Sequence, residues 1–587
     1  MKQKIFALFL ILCGLCLNLK AETQGDIVGR VLDDSGAPLV GATVQLVNAK
    51  GGVTTDEDGY FRIPYSKEGA VRVKVSFVGY QTQTFILKAD ERKGDQHVLR
   101  LQPDATALDQ VVVTATRTPK ALKDAPVVTR LITANDIKIA DATNIQDLLT
   151  EQMPGLEFGY AMNQETSLNM NGFGGNAVLF LVDGERLAGE TMDNVDYSRL
   201  NLDNVGRIEI VKGAASALYG ASAVAGVINI ISRENSEPWT ANVNTRYNDF
   251  NKEWRHGGSF SFNAGKWNSQ TSIQRTTSDE VQLTSPFDTE SNILHIYGGE
   301  TFNVKERLTY KLSNKVKLIG RGGYFARISN RNNYDDHYKD YSAGLKTVMN
   351  LSENDNLEIS YGFDQYDKTR FVNNERTHDH DYTNRQNTVR ALYSHIFGKN
   401  TLTAGADFLN DYLTTYQFAN NGSKTQNSYD AFAQFDYNPL QWLNIVASLR
   451  HDYFSASSQH ATTGRLALMT KWKGFSIRAN YAGGFRAPTL KEMYMNFDMA
   501  GMQMIYGNPD LKPEKSDNFN LALEHTGRVK NAGFLTGQYS LTLMGYYNKY
   551  DKRITTEDYA DYTPGTGQPD VASRYCNEDG VEVSGID

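Results

Sequence analysis

The chain has 587 residues, 40% of them hydrophobic and 22% charged, with a mean hydropathy of -0.47, a profile that superficially describes a soluble protein of several domains. A formal net charge of -8 and a pI near 5.8 leave no electrostatic footprint for nucleic acid, and no run of about 18 apolar residues follows residue 21, which excludes a helical membrane protein. Any membrane role falls to strands, and 32 Tyr, 27 Phe and 49 Gly against only 14 Pro suit long strands, tight turns and aromatic girdles.

Residues 1–21 read as a secretory signal peptide. Lys2 and Lys4 form a basic start, an apolar run extends from Ile5 to Leu17, and Leu19 and Ala21 precede Glu22 as a cleavage site. Cys13 and Cys16 leave with this segment, so Cys576 is the only cysteine expected in the mature chain, which permits neither an internal disulfide nor a cysteine zinc site.

Residues 22–102 carry short β-rich runs at Asp26–Leu32, Thr43–Val47, Tyr60–Ile63, Val71–Val75, Thr84–Leu87 and His97–Leu101, separated by turn signals such as DDSG and DEDG. This spacing predicts a small β-sandwich. The strings GRVLDDSGAPLVGATV, TTDEDGYFRIP and VSFVGYQTQ resemble the carboxypeptidase regulatory-like domain that precedes many receptors of the Bacteroidetes. Asp56, Asp58 and Gly59 are spaced like the start of a calcium loop, but the later acidic ligand is missing, and a plain hairpin turn accounts for them.

Residues 103–118 form a linker containing LDQVVVTA: Leu108, Asp109, Gln110, Val111, Val112, Val113, Thr114 and Ala115. Three consecutive β-branched residues favour an extended segment ready to pair with another sheet. The string resembles a TonB box, the strand that outer-membrane receptors offer to the periplasmic TonB protein; an ordinary interdomain strand is the alternative.

Residues 119–235 predict a mixed α/β unit. Thr133 or Asn135 caps a helical pattern that includes Ile145, Leu148 and Leu149 and stops at Pro154 and Gly155. The strand AVLFLVDGERL follows, and then VGRIEIVKGAASALYGASAVAGVINIIS at Val205–Ser232, which resembles the plug signature of TonB-dependent receptors. Gly172, Asp183, Gly184, Arg207, Glu209, Lys212, Gly213, Tyr219, Gly220, Gly226 and Asn229 carry that resemblance. Asn171 stands where the family has arginine and Ala214 where it has proline. Runs of Gly and Ala allow the close backbone approach that a domain inside a barrel needs. Gly172, Gly174 and Ala177 mimic a dinucleotide fingerprint, yet the loop enters a strand rather than a helix, which argues against a nucleotide site.

Residues 236–587 show two-residue alternation. Phe475, Ile477, Ala479 and Tyr481 alternate with Ser476, Arg478 and Asn480; Leu357, Ile359, Tyr361 and Phe363 with Glu358, Ser360 and Asp364; Ala431, Ala433, Phe435 and Tyr437 with Asp430, Gln434 and Asp436; Ala241, Val243 and Tyr247 with Asn242, Asn244 and Arg246. A soluble sandwich also alternates, so the plug and signal peptide decide for a barrel with lipid outside and a polar lumen. RISNRNNYDDHYKDY, DKTRFVNNERTHDHDYTNRQ and QFANNGSKTQNSYD are predicted as extracellular loops. The expected architecture is thus mainly β: an N-terminal β-sandwich, an α/β plug and an antiparallel transmembrane β-barrel. The family barrel has about 22 strands. The tail GVEVSGID resembles an interior family segment, so C-terminal strands are expected to be missing here.

GFRAPTLKEMY and YGNPDLKPE resemble the paired boxes of haem and related receptors, at Phe485–Pro488 and Asn508–Leu511. Between them lie Met493, Tyr494, Met495, Met499, Met502, Met504 and Tyr506, with Phe497. Haem receptors commonly carry a histidine there; this chain has none. Thioethers can ligate or pack against a tetrapyrrole, or simply fill apolar gaps in a folded loop. His378 and His380 can face one side of an extended segment, either as metal ligands or as solvated loop residues. The resemblance implies TonB-dependent import of a bulky nutrient (haem, cobalamin or a ferric siderophore) across the outer membrane, with TonB and its inner-membrane energising complex as partners. It implies no catalytic residues, no resident cofactor and no nucleic-acid partner; a surface lipoprotein is a further possible partner. A surface adhesin anchored by its barrel and a glycan importer are the competing readings.

Overall fold

A computed structural model describes residues 27–32, 38–39, 41–47, 52–56, 58–63, 70–77, 80, 82–87, 97–101, 111–118, 120–161, 164–189, 194–235, 237–284, 293–499, 501–529 and 537–587. The signal segment and Leu108, Asp109 and Gln110 lie outside these residues. The chain separates into two compact units near residue 110.

Among its described residues the first unit has two sheets. One orders Tyr60–Ile63, Ile27–Leu32 and His97–Arg100; the other orders Gly52–Thr54, Thr43–Leu46, Val71–Ser76 and Gln83–Leu87. Val71, Val73 and Val75 are buried while Arg72 and Lys74 are exposed, so one face of each strand enters a core shared with Val31, Val44 and Leu101. The DEDG turn joins the two sheets rather than closing a hairpin within one. Asp56 Oδ1 accepts from the Asp58 and Tyr60 amides, and Gly59 supplies a φ of +80°.

In the second unit a mixed five-stranded sheet orders Thr129–Thr133, Val205–Lys212, Gly226–Ser232, Val178–Val182 and Glu185–Arg186. Its two central strands are buried along most of their length, as sheets covered on both faces are. Thr133 caps the helix Ala134–Ala140 through a capping box with Asp136. Asn144 caps a second helix, Ile145–Gln152, whose Ile145, Leu148 and Leu149 are buried. The single helical pattern of the sequence is therefore two short helices.

Among the described residues, sixteen strands, from Trp239–Asn248 to Val581–Ile586, form one sheet around this plug. Every pairing whose register is described within it is antiparallel. Alternation has the expected sense. Phe475, Ile477, Tyr481, Ile359, Tyr361 and Tyr437 point outward and stay exposed, Val243 to 91%, while Arg478, Asn480, Ser360, Asp364, Gln434 and Asp436 are buried against the plug. The outward faces end in two aromatic girdles. Trp267 packs tilted against Tyr310 at 4.3 Å at one end, and Tyr324 meets Tyr341 at 5.4 Å at the other. A mean over the whole chain hides this membrane surface, because each apolar residue is diluted by a polar neighbour facing the lumen.

Connections at one end are tight, as at 265–266, 398–399 and 473–474, whereas 487–513 and 552–580 at the other end are longer and jointly build one four-stranded sheet. The three polar stretches predicted as loops reach this end but are largely strand. Asp335–Asn350 and Glu375–Phe397 run through them, leaving connections only at 331–334, 373–374 and 416–422. Apolar–polar alternation is lost there because the outward face carries polar residues such as Lys339 while the buried inward face is itself polar at Asp336 and Asp340, yet the ladder continues, supported by cross-strand pairs such as Arg370 with Asp336 at 2.9 Å.

Candidate functional site

Glu209 lies midway along the plug strand Val205–Lys212 and is fully buried. Its Oε2 accepts from the Val113 amide at 2.9 Å, the Thr114 amide at 2.8 Å and the Thr114 hydroxyl at 2.7 Å, while Arg207 Nε binds Oε1 at 2.7 Å. Asn229, directly across the ladder from Glu209, donates to Thr114 Oγ1 at 3.0 Å. The Tyr219 hydroxyl donates to the Thr114 carbonyl at 3.0 Å. Every polar atom of Thr114 is thus taken by a residue of the plug signature. Just upstream, Val111–Val112 pairs antiparallel with Lys120–Ala121.

The remaining signature residues shape this clasp. Asp183 and Gly184 make a left-handed turn; Asp183 accepts from the amide and hydroxyl of Ser232, and the Gly184 amide donates to Asn229. Gly213 and Gly220 adopt φ of +83° and +76°, and a Cβ on Gly220 would lie 2.4 Å from Arg450 of the wall. Gly226 lets its strand close on the Val211 carbonyl. Gly172, at φ +85°, turns the plug hairpin beside Val583, and Lys212 pairs with Asp587 at 2.7 Å. At the departure Ala214, the small side chain packs against Gly484 of the wall.

Charged contacts that no local spacing announces join plug to wall. Arg199 Nη2 reaches Asp340 at 2.7 Å and Asp364 at 2.8 Å. Arg327 pairs with Glu165 at 3.2 Å and Asp196 at 3.1 Å, over the ring of Tyr338. Burial drives the Asp196 carboxyl upward, but Arg327, the Ser198 and Tyr366 hydroxyls and Arg199 outweigh it and hold the group below the usual carboxylate range. Arg117 stacks on Tyr219 and Phe432. Burial, reinforced by Arg390, pushes its guanidinium down to about 10 against the opposing pull of Asp407.

At the loop end a cavity of about 200 Å³ lies over the plug, lined by Gly189, Asn194, Ala221, Ser222, Tyr382, Asn384, Asp411 and the loop residues Ala487–Lys491. Its roof is the helix Leu490–Tyr494, capped by Thr489 and anchored where Arg486 binds Glu492 at 2.9 Å and Glu514 at 3.2 Å. The box Phe485–Pro488 therefore serves to seat this helix. Met493 packs at 1% exposure among Tyr338, Tyr366 and Tyr382, with Tyr494 beside it. Met495 is buried, and bridges Phe418. Met504 and Tyr506 belong to a separate small sheet with Ala572–Glu578, Met499 is half-buried and Met502 is 55% exposed. The methionines therefore do not converge on one platform. His378 is exposed against Asp381, and His380 packs on Tyr416.

Cavity and clasp touch through one side chain. Arg186 lines the cavity and donates to the Tyr219 carbonyl at 2.6 Å and the Ala221 carbonyl at 2.7 Å.

Residues 285–587 match the model of the TonB-dependent receptor-like β-barrel, residues 121–227 that of the TonB-dependent receptor plug domain, and residues 27–113 that of the CarboxypepD_reg-like domain. The chain is 27% identical over 493 residues to the vitamin B12 transporter BtuB of Vibrio cholerae, covering 79% of this chain and 74% of that protein. It is 25% identical over 479 residues to the iron-regulated outer membrane virulence protein of the same species, covering 77% and 70%. Among solved structures it resembles the siderophore receptor PirA of Pseudomonas aeruginosa (TM-score 0.64, 17% identity, 78% and 80% covered). It also resembles the hemophore receptor HasR of Serratia marcescens (TM-score 0.66, 13% identity, 79% of each chain). With the plug, the enclosing wall and more than half of the sequence in agreement, the chain belongs to the TonB-dependent receptors, outer-membrane β-barrels that import nutrients.

Proposed function

We propose that this receptor imports a bulky metal chelate or tetrapyrrole of the haem, cobalamin or ferric siderophore class, and that TonB takes Leu108–Ala115 as an added strand. The relatives named for vitamin B12 and siderophores support the substrate class. The observation that carries the coupling is the chain of contacts from the loop-end cavity through Arg186 and Tyr219 to Thr114. A substrate pressing on Ala221 or Arg186 acts on the carbonyls flanking Gly220, and so on the helix that holds the leash. Freeing Val113–Ala115 exposes backbone groups that TonB can pair, and pull transmitted along the leash then remodels the plug. In this reading residues 22–102 are an accessory sandwich, 103–118 the leash, 119–235 the plug and 236–587 the wall. No step breaks a bond in the substrate, so no catalytic residue is assigned.

The test is growth and uptake in a strain lacking the receptor, complemented with the natural gene or with residues 108–115 deleted, on haem, cobalamin or ferric siderophore as sole source. Loss of uptake with surface binding retained supports the reading. Indifference to the deletion identifies an adhesin, and uptake of oligosaccharide that needs a surface lipoprotein identifies a glycan importer; either result replaces it.

A further inference from the structure

Glu306 is placed where an outer-membrane wall does not normally carry charge. On the strand Gly299–Lys311, Asn303, Lys305 and Arg307 face the lumen, with Asn303 and Lys305 donating to the Arg199 carbonyl and Arg307 pairing with Glu234. Glu306 alternates with them and faces lipid, in line with Phe302 and Tyr310. Those two rings belong to opposite aromatic girdles and stand four positions either side of Glu306, roughly 13 Å along the strand in each direction. With Tyr324 in register with Val304, two positions from Glu306, the carboxylate lies within the hydrocarbon between the two girdles, on the side of the Tyr324 girdle. Among the described residues it is the one acidic, lysine or arginine side chain on the lipid side between the girdles. Outward charges elsewhere, such as Arg275, Lys339 and Asp517, sit level with an aromatic ring or beyond it.

Two neighbours acknowledge the charge. Ser269 donates to Oε1 at 2.6 Å and Thr271 to Oε2 at 2.5 Å, both from the adjacent strand. Hydroxyls offset part of the desolvation cost but leave the net charge in place. On the other side the wall withdraws. Glu306 is in register with Gly322 and Leu308 with Gly320; a Cβ on Gly322 would meet nothing within 4 Å, and one on Gly320 only a carbonyl at 4.0 Å. The carboxylate thus opens onto a recess free of side chains.

We propose that this recess docks a second membrane protein that presents a lysine or arginine within the hydrocarbon at the depth of Glu306. A lipid tail cannot satisfy the charge, and a second copy of this chain has no lipid-facing lysine or arginine at that depth among its described residues to offer. The long apolar stem of a lysine or arginine fits over Gly320 and Gly322, and the head group completes the coordination that Ser269 and Thr271 begin.

The full-length receptor, reconstituted in phosphatidylcholine vesicles, is titrated with a dansylated single-span polyleucine helix bearing one central Lys, and with the same helix bearing Gln. Energy transfer from receptor tryptophans reports association. The expected result is association about tenfold stronger for the Lys helix, falling to the Gln level in Glu306→Gln, which removes the charge, and in Gly322→Leu, which keeps the charge and fills the recess. Equal transfer from the two helices, or a Lys preference that survives both substitutions, overturns the proposal. Substrate uptake plays no part in the readout, so the outcome is independent of the import reading.

Discussion

The Tyr219 hydroxyl and the Thr114 carbonyl are 3.0 Å apart across 105 positions of sequence, and this bond ties the segment proposed as the leash to the short helix Ser216–Tyr219, near the loop-end cavity. Tyr219→Phe leaves the packing intact and a buried carbonyl unpaired, a loss of about 1–3 kcal/mol. The leash should then be released more readily without substrate. A spin label at Val111→Cys is expected to become mobile in the apo receptor, and an unchanged spectrum refutes the linkage.

Removing Arg199 should weaken plug docking more than any exposed substitution. Its guanidinium answers two buried wall carboxylates, Asp340 and Asp364, and Arg199→Met leaves both without their common partner. The cost expected is about 3–5 kcal/mol. It should appear as a lower urea midpoint and as cells permeable to large antibiotics.

Met493 and Met502 distinguish packing from ligation. Met493→Ala opens a hole in the tyrosine cluster beneath the loop helix and is expected to cost about 2–5 kcal/mol. Met502→Ala, at an exposed site, should fall within about 0.5 kcal/mol of the natural protein. If haem is added and its Soret band shifts in a way that depends on Met499 and Met502, the packing account of this segment fails.

Acid should loosen the plug in a window set partly by Asp196. Its native pKa lies below the ordinary carboxylate value, so the stability it contributes is full above about pH 4 and is lost as pH falls through the lowered native value. Asp196→Asn removes that contribution. The variant should be less stable at neutral pH and less dependent on pH below about 4, read from tryptophan fluorescence during acid titration.

Much of the wall was legible because a strand between lipid and lumen must alternate, and Phe475–Tyr481 obeys that demand over several turns of the pleat. The same logic failed for Asp335–Lys339 and Glu375–Asp381, which continue the ladder past the Tyr324–Tyr341 girdle where neither face needs to be apolar. The clasp was half legible. Val111–Ala115 and the signature residues Glu209, Tyr219 and Asn229 stood out separately, but nothing local says that all of them meet at Thr114. Arg199, Asp196, Glu165 and Arg117 gave no signal, since their partners lie far away in the chain and on a different domain.

By itself, then, the amino-acid order determined the local matters: which segments extend, which coil, which faces are apolar, and where small residues permit close approach. These depend on neighbours within a few positions. Only the packing of plug within wall decided which charges are answered, which methionines are buried, and that Glu306 meets lipid. A charge acquires its cost from the medium on each side of it, and that medium is created by strands remote in the chain.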